Sequence, residues 1–186
     1  MKTHTVSIKQ HHLLLFLVFF FSAGWSFASP PIEIQFLQEQ GSESEWILAK
    51  ANCLSAKPPV RKALDAVVNY PRLHSWIQDT RLESQLIDGA RQFRIEFRFP
   101  WPVGQQWSLV EVKKVGDSTI SWHQLEGSLK MNRGRIVITE RNQQTHLDYR
   151  ANIDVGYPNT VTRHYKKKFV LEFLNAIYEE IQPPGI

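Results

Sequence analysis

A two-residue alternation between apolar and polar side chains runs through the middle of this chain and constrains its fold more than any other feature. It is clearest from Gln92 to Phe99, where the apolar members of the pattern are Phe93, Ile95, Phe97 and Phe99. The same period returns from His146 to Ile153. Alternation of this kind is typical of antiparallel strands that bury one face and expose the other. The sequence therefore predicts an antiparallel sheet with one apolar face.

Further strand-like segments lie on both sides of these two and are separated by turn residues. Gly89 marks a turn, the Gly116-Asp117-Ser118 segment joins two strands as a hairpin, and residues 142–144 join another pair. The predicted strands cover residues 32–38, 46–54, 81–87, 92–99, 107–115, 119–124, 135–139 and 146–153.

Helices are predicted before the main run of strands and at the end of the chain. Pro58-Pro59 suits a first helical turn, and Pro71 ends that helix before a second short helical turn from Arg72 to Ile77. From about Thr160 to Ile181, apolar side chains recur at helical spacing: Val161, Tyr165, Phe169, Phe173, Ile177 and Ile181. Strands flanked by helices predict an α+β domain with the long helix packed on one face of a curved antiparallel sheet.

Residues 1–28 have the three-part pattern of a secretory signal peptide. Lys2 and Lys9 are basic, Leu13–Phe21 is an unbroken apolar run, and Ser26-Phe27-Ala28 places small residues before a cleavage site at Ser29. An uncleaved membrane anchor is the alternative, although the apolar stretch is shorter than the roughly 20 residues that span a bilayer. We expect cleavage and a periplasmic or secreted mature protein.

The rest of the chain is divided into an N-terminal extension or edge strand, residues 29–45, and one domain, residues 46–182. The full sequence has a formal net charge of +4, and the signal segment contains two lysines and no acidic residue. The mature charge is therefore nearly balanced, and we expect no nucleic-acid partner. Cys53 is the only cysteine in the sequence, which excludes an intrachain disulfide bond.

Motifs for catalysis or metal binding are missing from the sequence. The histidines after residue 28 do not pair with Cys, Asp or Glu at metal-ligand spacing: His74, His123, His146 and His164. There is no Gly-x-Ser-x-Gly elbow and no Gly-x-Gly-x-x-Gly loop. Glu96 and Asp148 fall on the polar faces of their predicted strands, so neither is a candidate for a buried general base. We expect no metal, no cofactor and no catalytic residue.

Four segments resemble motifs of the START-related helix-grip superfamily, which is also called SRPBCC. They are Ala56–Leu64 at the first helix, Val68–Trp76 at the second, Phe97–Val103 with its Pro-Trp-Pro sequence, and Lys130–Val137 with Gly134. The resemblance extends from Trp46 to Ile181 and includes bacterial START-like, polyketide cyclase-like and coenzyme Q-binding-like domains. It implies a curved sheet wrapped around a long C-terminal helix, with a cavity between them.

The resemblance also implies which residues face that cavity and bind an apolar small molecule. The expected cavity residues are Trp76, Phe93, Phe97, Trp107, Trp122, Tyr149, Tyr165 and Phe169. Periodicity alone does not decide which faces Trp107 and Trp122 occupy. The alternative for any of these aromatic residues is that it fills a solid core. Apolar pockets with a few polar groups are the usual form of small-molecule sites.

A basic run at the start of the last helix is the candidate membrane-docking element. Arg163, Lys166, Lys167 and Lys168 lie in the first turns, where cations oppose the helix dipole. With Trp101, they predict transient contact with an anionic lipid surface. A solvated helix face is the alternative.

The sequence as a whole predicts an exported, non-catalytic protein that binds or carries a lipid or another apolar small molecule. Two alternatives remain open at this stage, a polyketide cyclase-like enzyme on the same fold and a protein-interaction module. A desolvated carboxylate or histidine in the cavity would favour the enzyme, and an exposed apolar patch would favour the interaction module.

Overall fold

The computed structural model describes residues 32–38, 45–53, 56–66 and 70–181. The predicted signal peptide and its cleavage site lie outside the described residues. The predicted α+β class is confirmed, because an antiparallel sheet of eight strands is combined with a long C-terminal helix. The elements in chain order are β1 (Glu33–Gln38), β2 (Glu45–Cys53), α1 (Lys57–Asp65), α2 (Tyr70–Leu73), β3 (Ile77–Gln85), β4 (Arg91–Arg98), β5 (Gln105–Val115), β6 (Thr119–Gly127), β7 (Met131–Arg141), β8 (Gln144–Asp154) and α3 (Asn159–Ile181).

The sheet is open and has the strand order β1-β2-β8-β7-β6-β5-β4-β3. Strands that follow one another in the chain are neighbours in the sheet, except that β2 pairs with β8 and not with β3. This pairing brings the N-terminal and C-terminal parts of the domain together. The β7–β8 hairpin turns at Asn142 and Gln143, whose φ angles are 52° and 62°. Two positive φ angles are typical of the turns that match the right-handed twist of a hairpin. Register shifts in the β3–β4 and β5–β6 pairs mark irregular positions of the kind that bend a sheet.

The start of β3 differs from the sequence prediction. We predicted a helical turn from Arg72 to Ile77, but α2 ends at Leu73 and β3 begins at Ile77. Pro71 lies inside α2, in the first turn, where its missing N–H costs no helical hydrogen bond. A register shift between Ile77 and Asp79 interrupts the two-residue period, which explains why the strand was not recognised before residue 81.

The long helix α3 packs its inner face on the sheet and on α1. Its buried side chains are Thr162, Lys166, Phe169, Val170, Phe173, Leu174, Ile177 and Tyr178. The predicted stripe agrees with this face from Phe169 to Ile177, but Val161 is exposed and Tyr165 is half-buried. Polar residues therefore occupy the inner face in the first two turns, and apolar residues occupy it afterwards. None of the helices in the described ranges is both long and apolar enough to cross a bilayer.

Candidate ligand-binding cavity

An apolar cavity lies between α3 and the inner face of the sheet. Its volume is about 80 Å³. Strands β3 to β8 contribute most of the wall, while α2 and α3 close it from the other side. The lining residues are Tyr70, Ile77, Ile95, Phe97, Phe99, Val110, Val112, Ile120, Trp122, Leu129, Asn132, Ile136, Tyr149, Ile153, Phe169 and Phe173.

The polar groups of this wall are uncharged. They belong to Tyr70, Trp122, Asn132 and Tyr149, and no acidic, basic or histidine side chain is among the lining residues. Burial raises the pKa of Tyr70 and of Tyr149 well above the ordinary value for a phenol, so both hydroxyls stay protonated. The cavity therefore offers hydrogen-bonding groups without offering charge.

A chain of hydrogen bonds fixes the polar part of the wall. Trp122 Nε1 donates to Asn132 Oδ1 at 3.0 Å, and Asn132 Nδ2 donates to Ser108 Oγ at 3.4 Å. Ser108 Oγ in turn donates to Gln124 Oε1 at 2.9 Å, and Gln124 Nε2 donates to the Leu129 carbonyl at 2.8 Å. These contacts satisfy side chains that would otherwise be costly to bury. They also hold the Trp122 ring in one orientation.

Gly134 provides the space that the Trp122 ring occupies. The two residues are direct cross-strand partners on β7 and β6. A Cβ atom at position 134 would collide with the Trp122 ring and would lie 2.5 Å from the Arg150 carbonyl oxygen. Because glycine has no Cβ, the indole lies across the strand and its centroid is 5.8 Å from that of Tyr149. The glycine thus allows Trp122 to form part of the cavity wall.

The opposite end of the wall is an aromatic cluster centred on Phe169. Its ring stacks on His74 at 4.2 Å and lies 6.2 Å from the rings of Trp76 and Phe99. His74 Nδ1 accepts a hydrogen bond from the Trp76 amide at 2.9 Å, so Nε2 carries the proton and donates to the Phe169 carbonyl at 3.1 Å. The imidazole therefore joins the turn before β3 to α3.

Burial is the main reason why the pKa of His74 lies below its ordinary value of 6.5. The nearby Lys168 acts in the same direction, whereas Glu172 and the Phe169 carbonyl act in the opposite one. The neutral imidazole agrees with the hydrogen bonds, since a proton on Nδ1 would face the Trp76 N–H.

A smaller pocket continues the cavity towards the loop between β4 and β5. The two spaces share Phe99, Ile153 and Phe169 in their walls. The loop, residues 100–104, lies over this end and is attached by two tyrosine hydroxyls. Tyr165 donates to the Trp101 carbonyl at 3.2 Å, and Tyr157 donates to the Pro102 carbonyl at 3.0 Å. We refer to residues 100–104 as the mouth loop.

The structure brings most of the expected cavity residues to one region. Phe97, Trp122, Tyr149 and Phe169 line the cavity. Tyr165 lines the smaller pocket beneath the mouth loop. Trp76 and Phe93 are buried in the adjoining core without lining either space. Whether these residues bind a ligand stays a prediction.

Trp107 is a correction to the sequence-based set, because it lies on the outer face of the sheet. Its neighbours along β5, Ser108 and Val110, are the buried residues. The Trp107 ring is covered by Arg94, whose guanidinium carbon is 4.1 Å from the ring centroid. Trp107 therefore cannot line the cavity in this fold.

The predicted membrane-docking set is divided by the structure. Lys166 is only 7% exposed, its Nζ donates to Asn159 Oδ1 at 2.8 Å, and burial lowers its pKa. Arg163 forms an ion pair with the buried Glu45. Lys167 and Lys168 are exposed, and Trp101 is 87% exposed. The prediction that Lys166 contacts a membrane is thus wrong, because its side chain is buried and a docking residue has to be accessible.

Tyr70 and Asn132 line the cavity but do not belong to the set predicted from the sequence. Tyr70 lies in a predicted helix motif, and Asn132 lies outside the predicted strand at 135–139. The signal that could have found Asn132 is its spacing from Ile136 and Ile138, which places all three on one face of a longer strand. No group of His, Cys, Asp or Glu in the described ranges is arranged to hold a metal ion.

Comparison with known proteins gives matches at the level of structure. No protein-family model and no curated protein matches the sequence. A STAR-related lipid transfer protein from Xanthomonas axonopodis superposes with a TM-score of 0.65 at 13% identity, covering 82% of this chain and 94% of that one. Human StAR-related lipid transfer protein 5 gives 0.63 at 13% identity, with 86% and 87% covered.

An enzyme is among the similar structures as well. The Zhui aromatase/cyclase from a Streptomyces species gives a TM-score of 0.63 at 12% identity, covering 74% of this chain and 93% of that one. At such identities the likeness concerns the fold, which carries different functions in different proteins. It agrees with the open antiparallel sheet and the C-terminal helix described above. The chain therefore has the START-like helix-grip fold.

Proposed function

We propose that this protein is an exported, non-catalytic carrier that binds a neutral lipid-like molecule between α3 and the sheet. The observation that carries the proposal is the cavity wall, which is apolar and contains no charged side chain. Removing apolar surface from water stabilises a bound hydrocarbon by roughly 25 cal/mol per Å². An ionised group in the same place would lose its hydration without gaining a partner.

The wall also limits the polar chemistry of the ligand. Asn132 and Tyr149 present neutral hydrogen-bonding side chains to the cavity. A hydroxyl or carbonyl group on an otherwise apolar molecule matches them, whereas a phosphate group does not. The proposed ligand class is therefore a neutral molecule, such as a sterol-like, quinone-like or acyl-chain compound, with few polar atoms.

Cavity size favours a mechanism in which the walls move. The volume of about 80 Å³ holds several water molecules, at about 10–15 Å³ for each. A whole lipid needs more space, so uptake requires displacement of the mouth loop or of the first turns of α3. The mouth loop is attached by the hydroxyls of Tyr157 and Tyr165, whereas the first turns of α3 are held by the ion pair between Arg163 and the buried Glu45. Loops of this kind open more easily than packed strands.

The cavity wall also favours binding without catalysis over the cyclase alternative. General acid–base catalysis needs a titratable side chain near the substrate. The lining residues offer two tyrosines whose pKa values burial raises, and no carboxylate or imidazole. The similar structures bear the names of lipid transfer proteins as well as of an aromatase/cyclase, so the fold is compatible with the carrier role.

Export and membrane contact belong to the proposal as well. Export is supported by the signal-like pattern of residues 1–28, and an intact mass that starts at Ser29 would establish it. Membrane contact is supported by the exposed Trp101 on the mouth loop and by the exposed Lys167 and Lys168 on α3. Aromatic and basic side chains together are suited to an anionic lipid interface.

The test is ligand capture by the full chain expressed in a Gram-negative host. The protein is purified without detergent and studied by native mass spectrometry followed by solvent extraction. Ile136→Phe places a ring into the cavity, while Val137→Phe, one residue further on, places the same ring on the other face of β7. We expect a stoichiometric neutral lipid on the wild type and on V137F, but little on I136F.

Circular dichroism and thermal melting identify variants that fail to fold, because overpacking a core costs about 1–3 kcal/mol. Absence of any copurified or added lipid on the folded wild type would refute the carrier function. Equal binding by the two folded variants would place the ligand outside this cavity.

A further inference from the structure

A basic cleft lies on the outer face of the sheet, opposite to the cavity. It spans β2, β6, β7 and β8 and has a volume of about 310 Å³. Its lining residues are Trp46, Ser121, Trp122, His123, Arg133, Gly134, Arg135 and Arg150. No carboxylate is among the lining residues. We call this region the arginine cleft, and nothing in the proposed function makes use of it.

Two arginines of the cleft face each other directly. Arg135 on β7 is the cross-strand partner of Arg150 on β8. Like charges in this position repel and destabilise a sheet. The next residues in the same row are neutral, since Ser121 pairs with Arg135 and Leu48 pairs with Arg150. The repulsion is therefore not offset within the row.

Acidic side chains in the described part of the chain do not neutralise the pair. No carboxylate there lies within 4 Å of the guanidinium group of Arg135 or Arg150. Asp148, which lies two residues before Arg150 on the same face of β8, is exposed and forms no ion pair with either arginine. The two positive charges thus share one surface without a counter-charge from the residues that the structure describes.

The surrounding side chains hold Arg150 in a defined position. Its guanidinium carbon lies 4.3 Å above the centroid of the Trp46 ring, and that of Arg133 lies 4.9 Å from the same ring. The Nε atom of Arg150 is buried without a hydrogen-bond partner. Stacking of this kind orients the planar group at a modest gain. An arginine that is oriented in advance loses less conformational entropy when it binds an anion.

We propose that the arginine cleft binds a phosphate group, with Arg135 and Arg150 as its contacting residues. A guanidinium group offers paired donors that match phosphate oxygens. A phosphate group carries its oxygens in a tetrahedral arrangement, so it can accept hydrogen bonds from both guanidinium groups at once, whether it is a free anion or the diester of a lipid. The phosphate comes either from solution or from a phospholipid headgroup, and the chemistry of the cleft is the same for both sources.

Two binding measurements on the full protein distinguish the sources. Isothermal titration with inorganic phosphate tests the free anion, and flotation with phosphatidylglycerol vesicles, compared with phosphatidylcholine vesicles, tests the headgroup. The variant R135Q/R150Q removes the cleft charges. The control R98Q/R141Q removes two exposed charges on β4 and at the end of β7. The variant R135K/R150K keeps the charge but loses the paired donors.

We expect R135Q/R150Q to weaken binding about ten-fold or more, because hydrogen bonds to charged groups are the strong ones. The control should stay within about two-fold of the wild type, and R135K/R150K should fall between them. R135Q/R150Q should also melt no lower than the wild type, since it relieves the repulsion.

Binding of inorganic phosphate with this pattern supports a free anion, and binding of phosphatidylglycerol vesicles alone with this pattern supports a headgroup. If neither probe binds the wild type, or if R135Q/R150Q and R98Q/R141Q weaken binding equally, the proposal is overturned. Lipid capture by the cavity is measured separately, so failure of one proposal does not affect the other.

Discussion

The two faces of the sheet use tryptophan in opposite ways. On the inner face, Trp122 donates its N–H to Asn132 and turns its ring towards the cavity. On the outer face, Trp107 lies under the Arg94 guanidinium group, and Trp46 lies under that of Arg150. The Trp122 ring thus borders the cavity, whereas the Trp107 and Trp46 rings are covered by cationic side chains.

This difference indicates where the protein keeps charge out and where it tolerates charge. Covering an outer tryptophan with arginine protects a large apolar surface from water and from association with other molecules. The inner rings need no such cover because α3 closes over them. The uncharged lining of the main cavity supports the binding of a neutral ligand, and the arginines of the outer face leave it suited to anions.

The largest expected effect on the free energy of unfolding comes from a matched pair of substitutions that replace tryptophan by alanine. Trp122→Ala removes a half-buried ring and leaves Asn132 Oδ1 without its donor, so we expect a loss of about 2–4 kcal/mol in the free energy of unfolding. Trp107→Ala removes an outer ring and one cation–π contact, and we expect a loss of about 1 kcal/mol. Urea denaturation measures both losses. Equal losses would contradict the distinction between the two faces.

Gly134→Ala tests how tightly the inner face is packed around Trp122. Replacing a strand glycine by alanine usually stabilises a protein, because glycine loses more backbone entropy on folding. Here the added Cβ would meet the Trp122 ring and the Arg150 carbonyl, so we expect a loss of about 1–3 kcal/mol. Thermal melting and the near-ultraviolet circular dichroism of the indole detect it. Val137→Ala, on the outer face of β7, is the control. A gain of stability in G134A would show that the Trp122 ring moves to make room for the added methyl group.

The faces of regular strands could be predicted from the sequence, while irregular positions could not. The alternation in β4 correctly assigned Phe93, Ile95 and Phe97 to the inner face. It did not settle Trp107 and Trp122, whose strands are joined across a register shift between Leu109 and Val110. A shift of one residue exchanges the two faces, so composition alone cannot decide between them.

The cavity residues were harder to predict than the fold, because residue type does not distinguish a packed ring from a lining one. Phe93 and Phe97 are both buried on β4, yet only Phe97 lines the cavity. Lys166 was predicted to be on the surface because it is a lysine, but a hydrogen bond to Asn159 satisfies it in the interior. These outcomes depend on tertiary neighbours, which a single sequence does not specify.

A smaller effect is expected when a fall in pH protonates His74, whose ring stacks on Phe169. Burial holds the pKa of His74 below 6.5 in the folded protein, whereas the unfolded chain takes up this proton near its ordinary value. The free energy of unfolding should therefore be constant, as far as His74 is concerned, above about pH 6.5. It should fall as the pH decreases from there towards the pKa of the folded state.

Urea denaturation between pH 7.5 and about 5 measures this dependence in the wild type and in His74→Gln. The variant should lose part of the decrease with falling pH, and the matched variant His164→Gln, which changes an exposed histidine of α3, should keep it. Identical pH profiles for H74Q and the wild type would assign the decrease to other groups.

The smallest effect concerns the mouth loop, where the inner face meets solvent. Tyr165→Phe removes one hydrogen bond to the Trp101 carbonyl, and the loss should cost about 0.5–1.5 kcal/mol or less. If loop opening limits uptake, a fluorescent neutral lipid should enter several-fold faster while its equilibrium affinity changes little. Stopped-flow fluorescence measures the rate, and Tyr178→Phe, on the same helix, is the control because the hydroxyl that it removes lies away from the loop. An unchanged rate in Y165F would show that access to the cavity is controlled by α3 and not by the loop.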